Sequence, residues 1–300
     1  MIERYLIHYF LAVVDQGNFS RAALQCRVSQ PTLSVGIAKL ESLLGHVLFN
    51  RSNKRVELTA SGTRFLTHAR HIEAEFARIA QTMAQDDQRK LIRIGLISTL
   101  PSAWVEAATR AACGVEGERL EIVEGRMRDL VPRLERGRVD VIMGVLEREA
   151  PKADILFEEE YALALPDTHP LADRQVLEPA EVADAVMIVR RNCEALADVS
   201  RYFTQRGVRP FFAARTTNDD RAVGYVKSGL GITVMPECFA QPGLAMVKMA
   251  GFEQRRRVGL IVAPPAAARV KDSRCLKEFS DSLRGSFIRR WDLSDKSQSD

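Results

Sequence analysis

Gln30, Thr32 and Ser34 put one amide and two hydroxyls at the opening of the run QPTLSVGIAKLESLLG. Side chains of these types donate to and accept from base edges, and the exposed first turn of a helix is the part that enters a major groove. Ser29 ahead of them can cap the helix, and Pro31 suits its first turn, where no N–H is needed. Lys39 lies farther along the same run. Ser29, Pro31 and Lys39 also have plain structural readings as cap, initiator and solvated charge. Farther on, Arg51, Lys54 and Arg55 gather in one short loop, where cations can meet phosphate or enter a minor groove.

A second set of residues suits a small anion. Ser98, Thr99 and Leu100 directly follow the apolar run LIRIGLI, and the two hydroxyls together with the N–H groups of a following helix start suit a carboxylate. Capping of that helix is the competing reading. Arg190 ends AVMIVR with Asn192 and Cys193 just after it, Thr217 and Asn218 follow FFAAR, and Gly144 closes VDVIMG. Loops after strands of an open α/β sheet share one edge, and ligands bind there.

Other chemistry is poorly supplied. GxSxG, Walker, HExxH and GxGxxG patterns are absent, and the glycines at 229 and 231 read as a turn before a strand. His68 and His71 are the one close histidine pair, and no cysteine or carboxylate completes a metal site around them. Cys26, Cys113, Cys193, Cys238 and Cys275 are scattered with no CxxC, which is neither a disulfide framework nor a zinc site. Cys193 reads as a pocket wall. No second cysteine follows it within forty residues, so a local disulfide is not expected, although Cys238 could approach it in space. No enzyme activity, metal or cofactor is expected.

The elements that must hold these residues follow from periodicity. A helix over about 3–16 places Leu6, Phe10, Val13 and Val14 on one face and stops at Gly17-Asn18. Ser20 is the expected cap of a short helix offering Ala22, Ala23 and Leu24 for close packing. Arg27-Val28 turns into the helix that carries Gln30, which buries Leu33, Ile37, Leu40 and Leu44 and ends at Gly45. The result is a helix-turn-helix, and the two short extended pieces around Asn50–Arg55 make a wing. From Ala60 to Met83 the apolar positions Phe65, Ala69, Ile72, Phe76, Ile79 and Met83 step by 4, 3, 4, 3 and 4. That heptad seam predicts pairing with the same helix of a second subunit. From residue 90 onward strand-like and helix-like runs alternate, predicting an α/β fold with a mostly parallel sheet.

Three hundred residues suggest two or three domains, and 46% hydrophobic with 27% charged residues is the composition of a globular chain. No apolar run reaches bilayer length, and the opening segment reads as an amphipathic helix, not a secretion signal, so a cytoplasmic protein is expected. The net charge of +4 is localised. Residues 1–90 carry all of it, while 91–300 hold 31 basic and 31 acidic side chains. Excess positive charge in the first third fits a polyanionic partner.

The run AALQCRVSQPTLSVGIAKLESLLGHVLFNR followed by VELTASG resembles the DNA-binding domain of the LysR-type transcriptional regulators. It matches that family's Ala-Ala, Ser-Gln-Pro, Leu-Gly, Leu-Phe-x-Arg and Leu-Thr-x-x-Gly positions in order and spacing. LIRIGLISTLPS, LALPDTHPLA and VKSGLGITVMPE are similar, more loosely, to its two-lobed effector domain. The resemblance implies a winged helix-turn-helix over 1–59, a dimerising linker helix and hinge over 60–89, and an effector domain over 90–300. Lobe I would span about 90–160 and 263–290, and lobe II about 161–262, with crossovers near Glu160 and Val262. It implies that Gln30, Pro31, Thr32 and Ser34 open the recognition helix and that Arg55 reaches the minor groove. Val35 departs from the pattern, standing where the family often has Arg. The resemblance further implies a homodimer that pairs into a tetramer, double-stranded DNA and RNA polymerase as partners, and a small-molecule effector between the lobes. Peroxide-sensing members carry a reactive cysteine near the place of Cys193. The expected function is an effector-controlled, sequence-specific transcription regulator. The alternatives are a peroxide-responsive regulator using Cys193 and an effector-independent DNA-organising protein.

Overall fold

The computed structural model describes residues 1–51, 56–84, 89–147, 149 and 155–289. They form two compact units, Met1–Gln88 with Pro132–Arg138, and Arg89–Val131 with Val139–Asp300.

The first unit opens with α1 (Arg4–Gln16), α2 (Phe19–Gln25) and α3 (Gln30–Leu44). Gly17 ends α1 in the left-handed region at φ 60°, its N–H returning to the Val13 carbonyl. The cap of α2 is Asn18, not Ser20: Asn18 Oδ1 accepts from the N–H groups of Ser20 and Arg21 at 2.8 and 3.1 Å. Ala22 and Ala23 are buried as expected for close packing, but Leu24 is exposed. Between α2 and α3, Arg27 holds φ 56°, a strained value for a non-glycine residue, so that the Val28 N–H can reach the Ala23 carbonyl. The core of this unit gathers Leu6, Phe10, Val13, Leu33, Ile37 and Leu40. Gly36 lets α3 lie against α1, since a Cβ there would stand 2.6 Å from the Tyr9 ring.

Strands β1 (Phe49–Arg51) and β2 (Val56–Leu58) pair antiparallel, with Phe49 opposite Leu58, and form the base of the wing. The Leu-Thr-Ala-Ser-Gly motif then seats α4 (Ala60–Ala84). Thr59 Oγ1 accepts from the Gly62 N–H at 2.9 Å and donates to the Val47 carbonyl at 2.7 Å. Gly62 passes so close that a Cβ would overlap the Leu48 carbonyl oxygen. Phe65 packs edge-on against Phe10 at 4.9 Å between centroids, and Ala69 is fully buried in the same core.

The second unit begins with β3 (Lys90–Ile97), α5 (Ser102–Cys113), β4 (Glu118–Gly125), the first residues of α6 (Met127–Glu135), whose part from Pro132 onward is counted with the first unit, and β5 (Val141–Val145). The long strand β6 (Ile155–Pro166) leads to β7 (Val176–Leu177), β8 (Val186–Arg190), α7 (Leu196–Gln205), β9 (Phe211–Thr216), α8 (Asp219–Lys227), β10 (Thr233–Pro236) and β11 (Leu244–Met249). The chain returns along β12 (Arg255–Val262) and ends in α9 (Ala267–Lys271) and α10 (Arg274–Arg289). The main sheet runs β4-β3-β5-β12-β6-β11-β7, with β10 also on β6 and a separate parallel pair β8-β9. It is mixed, not mostly parallel. β3 pairs parallel with β4 and β5, whereas β12 and β6 run antiparallel to each other because one carries the chain out of lobe I and the other carries it back. The return crossing lies at Arg255–Val258, earlier than the expected Val262, since Val258–Val262 already pair with β5. α5 and α10 cover lobe I, where Phe157 stacks on Phe287 at 4.5 Å. Lobe II has its own core around Leu163, Leu165, Phe203, Ile232 and Val247.

Candidate DNA-reading helix and effector site

The first turn of α3 stands clear of the core. Ser29 caps it, its Oγ accepting from the Thr32 N–H at 3.2 Å and sharing a 2.7 Å hydrogen bond with the Thr32 hydroxyl. Pro31 lies in the first turn. Gln30, Pro31 and Thr32 are exposed, and Gln30 donates from Nε2 to Ser34 Oγ at 3.2 Å. An exposed amide held by a neighbouring hydroxyl gains the fold little, and both can turn outward to a base edge. Val35 is 69% exposed and extends that surface with an apolar patch where a thymine methyl could pack. Lys39 is engaged within the unit, donating to Glu3 Oε1 at 2.7 Å and Tyr5 Oη at 3.1 Å. Arg51 lies in β1, while Lys54 and Arg55 fall outside the described residues.

Along α4, Phe65 and Ala69 are spent on the unit's own core, which corrects their assignment to the dimer seam. A heptad pattern does not reveal that the first turns of the helix are already covered. Ile72, Phe76 and Ile79 remain 37, 40 and 58% exposed, in line along one side of the helix. The side chain of Met83 lies outside the described residues.

In the second unit the loops after β3, β8 and β9 meet. Asn192 donates from Nδ2 to Ser98 Oγ at 3.2 Å and to the Thr217 carbonyl at 3.1 Å, joining all three. Thr99 is buried, and Leu100 with it. The Thr99 hydroxyl accepts from Arg256 Nη1 at 3.0 Å and donates to Glu194 Oε1. Arg256 also donates from Nη2 to the Thr99 carbonyl at 3.0 Å, from Nη1 to Glu194 Oε1 at 3.2 Å, and from Nε to buried Glu159 at 2.9 Å. Tyr161 donates to the other Glu194 oxygen at 3.1 Å. Burial alone would raise the Glu194 carboxyl, but Arg256 and the Thr99 hydroxyl outweigh it and hold it below the ordinary carboxylate range. Burial pushes the Tyr161 phenol well up, so it stays a donor.

Several expected ligand groups are otherwise employed. Arg190 is a buried structural ion pair, its Nε donating to Asp219 at 2.9 Å and its Nη1 to the Val234 carbonyl at 3.1 Å. Gly144 is a packing position, because the place of its Cβ is filled by the Met127 sulfur. Asn218 caps α8, accepting from the Arg221 N–H at 2.8 Å. At the start of α5, Ser102 is held by Asp220 through both its hydroxyl and its N–H. Cys193 lines a cavity of about 580 Å³ inside lobe II, with Met187, Val199, Phe203 and Phe212 among its walls. Burial pushes its thiol up, against a smaller opposing effect of Arg190.

Glu159, Tyr161, Glu194, Asp219, Asp220 and Arg256 were not anticipated. A signal for two of them lies in the sequence. The triplet Glu158–Glu160 and the triplet Arg255–Arg257 are complementary, and in the structure they face each other on β6 and β12, Arg256 opposite Glu159. Alternation turns the middle pair inward and its neighbours outward.

The family description "Bacterial regulatory helix-turn-helix protein, lysR family" matches residues 5–63, and "LysR substrate binding domain" matches residues 85–284. A probable hydrogen peroxide-inducible genes activator of Mycobacterium avium is 31% identical over 84% of this chain and 85% of its own length. One from Mycobacterium leprae is 33% identical over 84% and 85%. The DNA-binding transcriptional dual regulator OxyR of Escherichia coli is 27% identical over 94% and 96%. Among solved structures, a full-length OxyR variant from Pseudomonas aeruginosa aligns with a TM-score of 0.52 at 22% identity, over 95% of each chain, which supports the fold. By these matches along its length, the chain belongs to the LysR family of bacterial regulators, DNA-binding transcription regulators and not enzymes.

Proposed function

We propose that the chain reads its operator with the first turn of α3, pairs with a second copy along the Ile72–Phe76–Ile79 stripe of α4, and is switched by a small anionic effector received between the lobes. It acts in the cytoplasm with RNA polymerase as its partner in transcription. The observation that carries the effector reading is the meeting of three strand-end loops around the buried donors Thr99, Tyr161 and Arg256. Footprinting of the full chain against a panel of carboxylate metabolites tests it: one member changes the protected region, and a footprint unchanged by every carboxylate favours an effector-independent DNA-organising role. The reading of α3 has its own test. Gln30→Ala should lose about 1–3 kcal/mol at the cognate site and far less on random DNA. Equal losses on both would remove Gln30 from base reading.

A second reading is favoured by the relatives named as hydrogen peroxide-inducible activators. In it, peroxide oxidises Cys193. Against it stands the raised thiol, since the thiolate is the reactive form. A peroxide-dependent footprint that Cys193→Ser abolishes would establish this second reading over the first.

A further inference from the structure

Glu194 lies in the loop after β8, next to Cys193, yet its carboxylate reaches residues of three other segments. Oε1 accepts from the Thr99 hydroxyl and from Arg256 Nη1 at 3.2 Å, and Oε2 accepts from the Tyr161 hydroxyl at 3.1 Å. Those donors belong to the loop after β3, to β12 and to β6. Each is held without help from Glu194. Arg256 is fixed by Glu159 and by the Thr99 carbonyl, Thr99 is fixed by Arg256, and the Tyr161 ring is buried in the core of lobe II. A preformed set of donors shaped for one carboxylate is therefore filled by the chain's own side chain.

Charge makes the occupancy exclusive. Arg256 already faces two carboxylates, Glu194 and Glu159, the latter also accepting from the Cys238 N–H at 2.6 Å. The other buried cation of the cluster, Arg190, is matched by Asp219. A third carboxylate on Arg256 would enter a buried site with no cation left for it, at a desolvation cost no single hydrogen bond offsets. An incoming anion must therefore replace Glu194. Replacement is sterically open, because Glu194 sits on a loop and its side chain keeps 23% of its surface in solvent.

We propose that Thr99, Tyr161 and Arg256 form a carboxylate-binding subsite for which Glu194 is the resident competitor, so that an effector carboxylate binds by displacing Glu194. The proposal deepens, and rests on, the reading of the interlobe cleft as the effector site. Glu194 then sets the threshold of the response: the effector's apparent affinity is its intrinsic affinity reduced by the fraction of molecules in which Glu194 has left.

Chemical rescue of full-length E194A tests this, with acetate and formate as probes and chloride of equal ionic strength as control. Acetate should raise the melting temperature of E194A saturably, by about 3 °C at tenfold its dissociation constant, and raise wild type no more than chloride does. Adding T99V to E194A should abolish the rescue. Equal shifts in wild type and E194A, or a shift that never saturates, overturn the subsite. Should E194A not fold, E194Q keeps the shape and weakens the competitor. It should then respond to acetate more than wild type does, and no response overturns the proposal. The rescue needs neither DNA nor effector. Saturable rescue with no metabolite altering the footprint keeps the carboxylate subsite and overturns the effector displacing Glu194. A footprint change without rescue overturns the subsite alone.

Discussion

Thr99→Val probes the interlobe cluster with the least change of shape. Valine keeps the β-branched outline in a side chain that is almost wholly buried and exchanges only the hydroxyl for a methyl. Two hydrogen bonds are lost, the one donated to Glu194 and the one accepted from Arg256 at 3.0 Å. Both have a charged partner, and such bonds contribute about 1.5–3 kcal/mol each. Neither charge is orphaned, since Arg256 Nη1 and Glu194 Oε1 still meet at 3.2 Å. The net loss should therefore lie below the sum of about 3–6 kcal/mol, at about 2–3 kcal/mol. For a unit of this size that is a fall in melting temperature of roughly 4–10 °C. Trp104 belongs to the second unit and packs against Phe157 and Phe287, so its emission follows the unfolding of that unit within the intact chain. A cycle with Glu194→Gln should return a coupling of about 1–2 kcal/mol, because Thr99→Val removes the bond from which Glu194→Gln takes the charge. A cost under about 0.5 kcal/mol, or additive losses, would refute the account of Thr99 as the keystone between Arg256 and Glu194.

The remaining predictions follow from other contacts. Glu194 has a folded value below its ordinary 4.5, so its contribution is complete above that pH and is lost as the pH falls toward the folded value. Arg256, Tyr161, Arg190 and Cys193 face this carboxylate, and on the acid limb of stability against pH, wild type should fall more steeply than Glu194→Gln; parallel curves would contradict the ion pair. Gly62→Ala forces a methyl onto the Leu48 carbonyl, a backbone atom that has no rotamer to escape by, and should cost the first unit about 2–3 kcal/mol in urea melts. Ile72→Glu with Phe76→Glu should yield monomers by sedimentation without unfolding, since both side chains are exposed; an unchanged oligomer would place the dimer contact elsewhere.

Local periodicity made the helix-turn-helix legible: the apolar steps of α1 and α3, the left-handed Gly17 and Gly45, and Ser29 before Pro31 each act within a few residues. The same locality explains the misses. Asn18 and Ser20 are both good caps, and which of them turns the chain depends on the path arriving from Gly17. The heptad spacing of α4 predicts one seam from Phe65 to Met83, because spacing does not reveal that Phe10 already covers Phe65. Strand direction is not written in alternation, so the antiparallel crossing of β6 and β12 was invisible, although its charge triplets were in view. Glu194 could not be found at all by spacing. Its partners lie 95, 33 and 62 residues away, and only the folded chain brings them to one carboxylate.

The seating of α4 has a consequence for what the chain can measure. Thr59, Gly62, Phe65 and Ala69 fasten the start of that helix to the body that carries α3, so its opening turns and α3 move as one piece. In the dimer proposed above, the helix then works as a graduated ruler. Each residue of length between Ala69 and the contact stripe shifts the partner by about 1.5 Å and rotates it by roughly 100°. Inserting one heptad there, between Ala69 and Ile72, would preserve the facing of the stripe nearly in register and displace each reading head by about 10 Å, close to three base pairs of axial rise. In that dimer, operator spacing would be encoded in the length of one helix, separately from the residues proposed to read the bases.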